Sequence, residues 1–158
     1  MELSTNNEVI KSTKPPMTPV LIVSQNEEGK PNIMTAEWYM RTSIEPPMFA
    51  ISIGNIRHTH KNLSNNRLFN INVPASDMAE VVKYCGTVTG KDTDKIDELN
   101  LEHFKGKLGL PLFKDAKAGF ECKVISQILS GDHTIFIGEV KYCWLNEEKS
   151  TLVMYPQK

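Results

Sequence analysis

"GFECKVISQILSGDHTIFIGEVKYCWL", residues 119–145, reads as two strands folded about a turn. The run ending in "QIL" stops at "SGDH", a glycine-centred turn signal, and "TIFIGEVKYCWL" returns. The result is a hairpin. Working outward, "LFNINVP" (68–74) alternates, with Phe69, Ile71 and Val73 on one face and Asn70 and Asn72 on the other. That alternation predicts a half-exposed strand. "MFAISI" (48–53) follows Pro46-Pro47 as a nearly continuous buried strand, and "PVLIVSQ" (19–25) leads through "NEEGKPN" into a strand at Asn32-Ile33-Met34. "STLVMY" (150–155) adds one more.

Short helices fall between these strands. "GNIRHTHKNLSNNR" (54–67) predicts a turn and a helix with Thr59 as N-cap. Asp77 and Glu80 form a capping-box-like start for a helix that carries Met78, Val81, Val82 and Cys85 on one face and stops at Gly86. "KIDELNLEHF" (95–104) predicts a further helical piece. Five to seven strands with two or three short helices give a mainly β class, an antiparallel barrel with Greek-key connections. No regular alternation of strands with long helices supports a doubly wound parallel sheet.

The 158 residues, 40% apolar and 23% charged, suit one domain over 1–158, with 1–16 as a polar lead-in. A net charge of -1 without basic runs argues against nucleic acid as a partner. No apolar run approaches the ~20 residues that cross a bilayer, and the first sixteen residues lack a signal-peptide core. Cys85, Cys122 and Cys143 are odd in number and far apart, which predicts neither a disulfide framework nor a zinc site and points to a reducing cytoplasm. His58 and His60, two apart on a helix, diverge, so no metal is expected there.

"NIMTAEW" (32–38), "EPPMFAISIG" (45–54), "RHTHKNL" (57–63), "FNINVP" (69–74), "CGTVTGKDTDK" (85–95) and "GDHTIFIGEV" (131–140), in this order, resemble the flavin reductase-like family. Its members, the flavoredoxins and small flavin reductases, are FMN-binding split β-barrels. The resemblance runs from about Pro19 to Trp144. It implies FMN as cofactor, NAD(P)H as a transient electron donor and a homodimer. The segment holding Asn32, Met34, Thr35, Ala36 and Trp38 would pass along the flavin, giving apolar cover, backbone amides and a short hydroxyl. Arg57, His58, Thr59 and Lys61, with Ser52 just before them, would take the phosphate at a helix N-terminus. Without the resemblance, Met34 and Trp38 read as barrel core and "RHTHKNL" as a solvated basic turn.

Lys91, with Thr89, belongs to a loop that relatives use at the flavin, though by itself the loop reads as flexible surface. Asp132-His133 by itself fits a hairpin turn with a solvated imidazole. The resemblance implies an active-site role for His133. Glu37 is an acid where many relatives are neutral, and Ile96 stands where an aromatic is common; Glu37 is expected to point outward. The function so implied is NAD(P)H-dependent flavin reduction. With no GxGxxG, a nicotinamide would bind transiently over the flavin. Its rivals are a flavoredoxin-like electron carrier between partner proteins and an FMN-binding module without turnover.

Overall fold

The computed structural model describes Thr5, Ile10 and residues 12–155. Most of the expected polar lead-in, 1–16, therefore lies outside the described residues. The strands are β1 (Val20–Gln25), β2 (Pro31–Ala36), β3 (Tyr39–Ser43), β4 (Met48–Gly54), β5 (Leu68–Val73), β6 (His103–Lys105), β7 (Pro111–Phe113), β8 (Ala118–Ser130) and β9 (His133–Leu145). The helices are α1 (His58–Asn66), α2 (Ala79–Thr87) and α3 (Lys95–Glu98). Seven strands form one antiparallel sheet in the order β2-β1-β5-β8-β9-β4-β3, and β6 pairs with β7 separately.

That order forces the sheet to roll up. β2 and β3 are its two edges, yet only Glu37 and Trp38 separate them in the chain. Seven flat strands would hold their edges about 29 Å apart, whereas three residue steps reach at most about 11 Å. Only a barrel brings the edges that close. The architecture is a split barrel, mostly β with short helices, and its strand order is not that of an up-and-down meander.

The expected hairpin at 119–145 is β8–β9, closed by Gly131-Asp132, with Gly131 at φ +62° where a left-handed residue is required. Register shifts at Glu121/Cys122 and Val124/Ser126 bend these 13-residue strands around the barrel. Val20 and Ile22 of β1 enter the barrel core with Phe69 and Phe136. Leu21 and Val23 face outward into a second core under α2 and α3, with Val82, Cys85 and Ile96. Burial on both faces explains the unbroken apolar run "VLIV".

Several local expectations are corrected. β5 is not half-exposed: Asn70 and Asn72 are fully buried, because the β6–β7 hairpin covers them. The Asn70 amide donates to the carbonyls of Leu110 (3.2 Å) and Pro111 (3.1 Å), and the Asn72 side chain accepts from the Phe113 amide at 3.0 Å. α2 has Met78 at its N-cap without a side-chain cap, since Asp77 instead pairs with Lys149 at 2.6 Å. α2 also continues past Gly86 to Thr87. α1 is entered from Arg57, again without a side-chain cap, so Thr59 lies inside the helix. "KIDELNLEHF" is helical only over its first turn, and "STLVMY" contributes isolated bridges at Thr151 and Met154 rather than a strand.

Candidate functional site

At the end of the barrel marked by the β8–β9 turn, a cleft of about 470 Å³ opens on the outer surface. Met34, Thr35 and Ala36 at the end of β2 form one wall, and Trp38, Ser52 and His133 form the other. Gly54, Arg57 and Gly86 also line it, while the exposed Lys14, Glu37 and Ile10 stand at the rim. The two-residue link between the sheet edges is thus part of the wall. The Ser52 amide fixes it by donating to the Trp38 carbonyl at 2.9 Å. The Glu37 carboxylate is exposed and accepts from Lys14 Nζ at 2.7 Å, so its charge is neutralised at the rim.

His133 is held from two sides. Its ring lies 4.7 Å from that of Trp38, tilted by 39°, and its Nδ1 is 2.6 Å from Asp132 Oδ1. A carboxylate can only accept, so Nδ1 is the donor and Nε2 is left free of that bond. The bond from His133 keeps the Asp132 carboxyl below its ordinary range. The Asn55 amide donates to the Asp132 carbonyl at 3.0 Å and ties the turn to the β4–α1 loop. Thr35 lines the cleft, but its hydroxyl donates to the Val82 carbonyl at 2.5 Å. The proton expected for a ligand instead anchors α2.

Beyond Met34, Thr35, Arg57 and Gly86 the cleft continues into a hollow of about 40 Å³, bordered by Asn32, His58, Thr59, Gly90 and Lys95. Lys95 is 3% exposed and donates to the carbonyls of Val88 (3.0 Å) and Cys85 (3.4 Å). Burial lowers its pKa, and the Arg57 charge adds to the effect. The same burial pushes the Cys85 thiol up to about 11. An anion in the hollow would relieve both the desolvation and the repulsion felt by Lys95.

Asn32 is 7% exposed; its Nδ2 lies 2.9 Å from Thr59 Oγ1, and its Oδ1 has no partner. Turning the amide over lets the Thr59 hydroxyl donate to Oδ1 and presents Nδ2 to the hollow as a donor. Gly90 is required here, because a Cβ would stand 1.6 Å from Asn32 Oδ1. The His60 amide already donates to the Arg57 carbonyl at 3.0 Å, but the His58 and Thr59 amides at the start of α1 have no intrahelical acceptor and add donors and dipole. These residues fit a flat ring with a phosphate tail: apolar walls in a cleft of ligand size, then a small cationic hollow rich in donors.

Of the residues expected from sequence, Met34, Thr35, Ala36, Trp38, Ser52, Arg57 and His133 meet in the cleft. Asn32, His58 and Thr59 meet in the hollow. Lys61 lies in a separate groove, and Lys91 lines neither cleft nor hollow. Lys95, Gly90, Gly54 and Gly86 were not anticipated. The Lys95 signal was present: Asp94 accepts from the amides of Ile96 (3.2 Å) and Asp97 (3.4 Å), an N-cap that sets Lys95 in the first turn of α3.

Fold and site define a small split barrel with a surface cleft for a planar group and an adjoining anion hollow. Residues 16–158 match the flavin reductase like domain, and the chain belongs to that family. An uncharacterized protein of Archaeoglobus fulgidus is 35% identical over 126 residues, 79% of this chain and 70% of that protein. The NADH-dependent flavin reductase StyB of Pseudomonas fluorescens is 29% identical over 123 residues, 78% of this chain and 68% of that protein. Among solved structures, a flavoredoxin from Methanosarcina acetivorans superposes with a TM-score of 0.80 at 29% identity, covering 93% of this chain and 76% of that one.

Proposed function

We propose that the protein binds FMN in the cleft and hollow and catalyses NAD(P)H-dependent flavin reduction. The observation that carries this reading is the hollow bordered by the buried Lys95 and Asn32 and by the exposed Arg57, which opens directly from a cleft about 470 Å³ in volume. The flavin, when bound, supplies the two-electron acceptor for a hydride. The chain's own residues do the rest. Met34, Ala36 and Trp38 exclude water from the ring's faces, and Arg57, Lys95 and the first turn of α1 hold the phosphate. His133, oriented by Asp132 and braced by Trp38, holds a proton at Nδ1 and presents Nε2 at the cleft mouth. Trp38 and His133 leave that mouth open to a transient nicotinamide.

We further propose a homodimer. Residues opposed across strands share a face, which puts Met40, Ala50 and Ile137 together on the barrel exterior beside Ser52, Ile135 and Ile128. Met40 is 62% exposed and Ile128 53%. This apolar face continues into the cleft through Ser52, so a second copy would cover both. The likeness to a flavoredoxin supports an electron-carrier reading as the second possibility.

One experiment separates them. The purified protein, loaded with FMN, is mixed anaerobically with NADH or NADPH and its visible spectrum followed. Bleaching of the flavin band with steady nicotinamide oxidation on admitting air is expected; bound FMN that neither donor bleaches would leave the carrier.

A further inference from the structure

A second cavity, about 510 Å³ in volume, opens between the β6–β7 hairpin and the ends of β8 and β9 farthest from their turn. Leu145, the last residue of β9, lines it, whereas His133, the first, lines the cleft. The cavity shares no lining residue with cleft or hollow, and its volume is that of a small-molecule site.

Its polar feature is the fully buried Asn72. The Phe113 amide donates to Asn72 Oδ1 at 3.0 Å, and a backbone N–H can only donate, so this side chain cannot be turned over. Nδ2 is therefore a fixed donor, and it has no hydrogen-bond partner among the described residues. Asn70, two residues earlier on β5, has its Nδ2 taken up by the carbonyls of Leu110 and Pro111. A buried donor left unpaired is unfavourable, so an acceptor that reaches Asn72 gains more than it would in water.

The walls are set before any ligand arrives. Phe104 and Trp144 meet edge to face with ring centroids 5.1 Å apart. Trp144 Nε1 donates to the fully buried Glu121 carboxylate at 2.8 Å, and the amides of Lys107 (3.0 Å) and Leu108 (2.6 Å) donate to the same group. One carboxylate thus fixes both the indole and the β6–β7 turn. Leu112 packs directly over Gly119, where a Cβ would stand 2.4 Å from Leu112 Cδ2. The exposed Glu147 and Glu148 also line the cavity, while Lys114 is already paired with Glu102 at 3.2 Å. That balance disfavours an anion, and a cation would face the Nδ2 donor. A neutral acceptor suits both.

We propose that this cavity is a second ligand site, for a neutral aromatic compound that carries a carbonyl. Its ring packs against Trp144 and Phe104, and its carbonyl oxygen accepts from Asn72 Nδ2. The site stands whether or not the cleft holds a flavin.

The test uses the full chain, with and without FMN, in proton–nitrogen correlation spectra. The two tryptophans of the chain stand one at each site, Trp38 in the cleft and Trp144 in the cavity, so their indole signals report the sites separately. The probes are acetophenone, its isostere α-methylstyrene, in which a CH₂ replaces the oxygen, and benzoate. Acetophenone is expected to move the Trp144 indole and Asn72 side-chain signals with a Kd at or below about 1 mM, unaltered by FMN. It should bind roughly threefold or more tighter than the more apolar α-methylstyrene, and roughly tenfold or more tighter than benzoate. Phe104→Ala should weaken acetophenone roughly fivefold or more. No saturable shift at Trp144, or shifts confined to Trp38, overturns the site. α-Methylstyrene binding as tightly as acetophenone overturns the role of Asn72 and the carbonyl with it.

Discussion

Lys95 and His133 divide the work at the scale of single residues. Lys95 sits in a site where burial disfavours its charge, so an anionic ligand gains from meeting it. Replacing it with methionine keeps the volume and removes the cation. A charge-assisted bond contributes about 1.5–3 kcal/mol, so Lys95→Met should weaken FMN roughly ten- to a hundredfold and riboflavin hardly at all, read by titration. His133→Ala leaves the hollow untouched. It should slow flavin reduction by NAD(P)H roughly ten- to a thousandfold in anaerobic stopped-flow, with FMN affinity little changed. An unchanged rate would make His133 a turn residue braced by Trp38.

Among the elements, the β8–β9 hairpin sets the site because its turn carries His133 and its inner residues fill the barrel. Gly138 of β9 faces the Phe69 ring, and a Cβ there would stand 2.5 Å from two ring atoms. Phe69 is fully buried and cannot swing away. Gly138→Ala should therefore destabilise the protein by about 1–3 kcal/mol, measured as a lower urea midpoint. The hairpin itself was legible in "SGDH" and its flanking runs. The burial of Asn70 and Asn72 on β5 was not, because the covering β6–β7 hairpin comes from residues 103–113, far along the chain. A period of two reports which residues share a face, not what lies over that face.

For the whole molecule, alkaline pH acts through the thiols. Burial pushes Cys85 to about 11 and Cys122 to about 12 from an ordinary 9.0. Both values are raised, so their contribution is fully present below pH 9 and is lost as pH rises toward 11 and 12. Lys95 acts with the opposite sign: its pKa is lowered, so stability rises with pH between its folded value and 10.5. Two thiols outweigh one amine. Urea midpoints should fall above pH 9, and Cys122→Ala should flatten that fall while lowering the midpoint at neutral pH. Assembly is the other property at this scale. Met40→Glu places a charge at the centre of the exterior apolar face and should turn a dimer into a monomer in sedimentation, with FMN bound at least tenfold more weakly. Wild type sedimenting as a monomer with FMN bound would remove the dimer proposal.

Local pattern was enough to determine the strands at 19–25, 48–53 and 119–145, a helix after Arg57, and the mainly β class, because period and turn chemistry are properties of neighbours in the chain. The motif segments, through family resemblance, also pointed to Met34, Trp38, Arg57 and His133. Only the tertiary structure decided that Lys95, rather than Lys61 or Lys91, borders the hollow, and that the Thr35 hydroxyl is bound to α2. Those outcomes depend on α2 and α3 packing over the outer face of β1 and β2. Cavity walls and desolvation arise when elements distant in sequence meet, and no spacing within one segment encodes them.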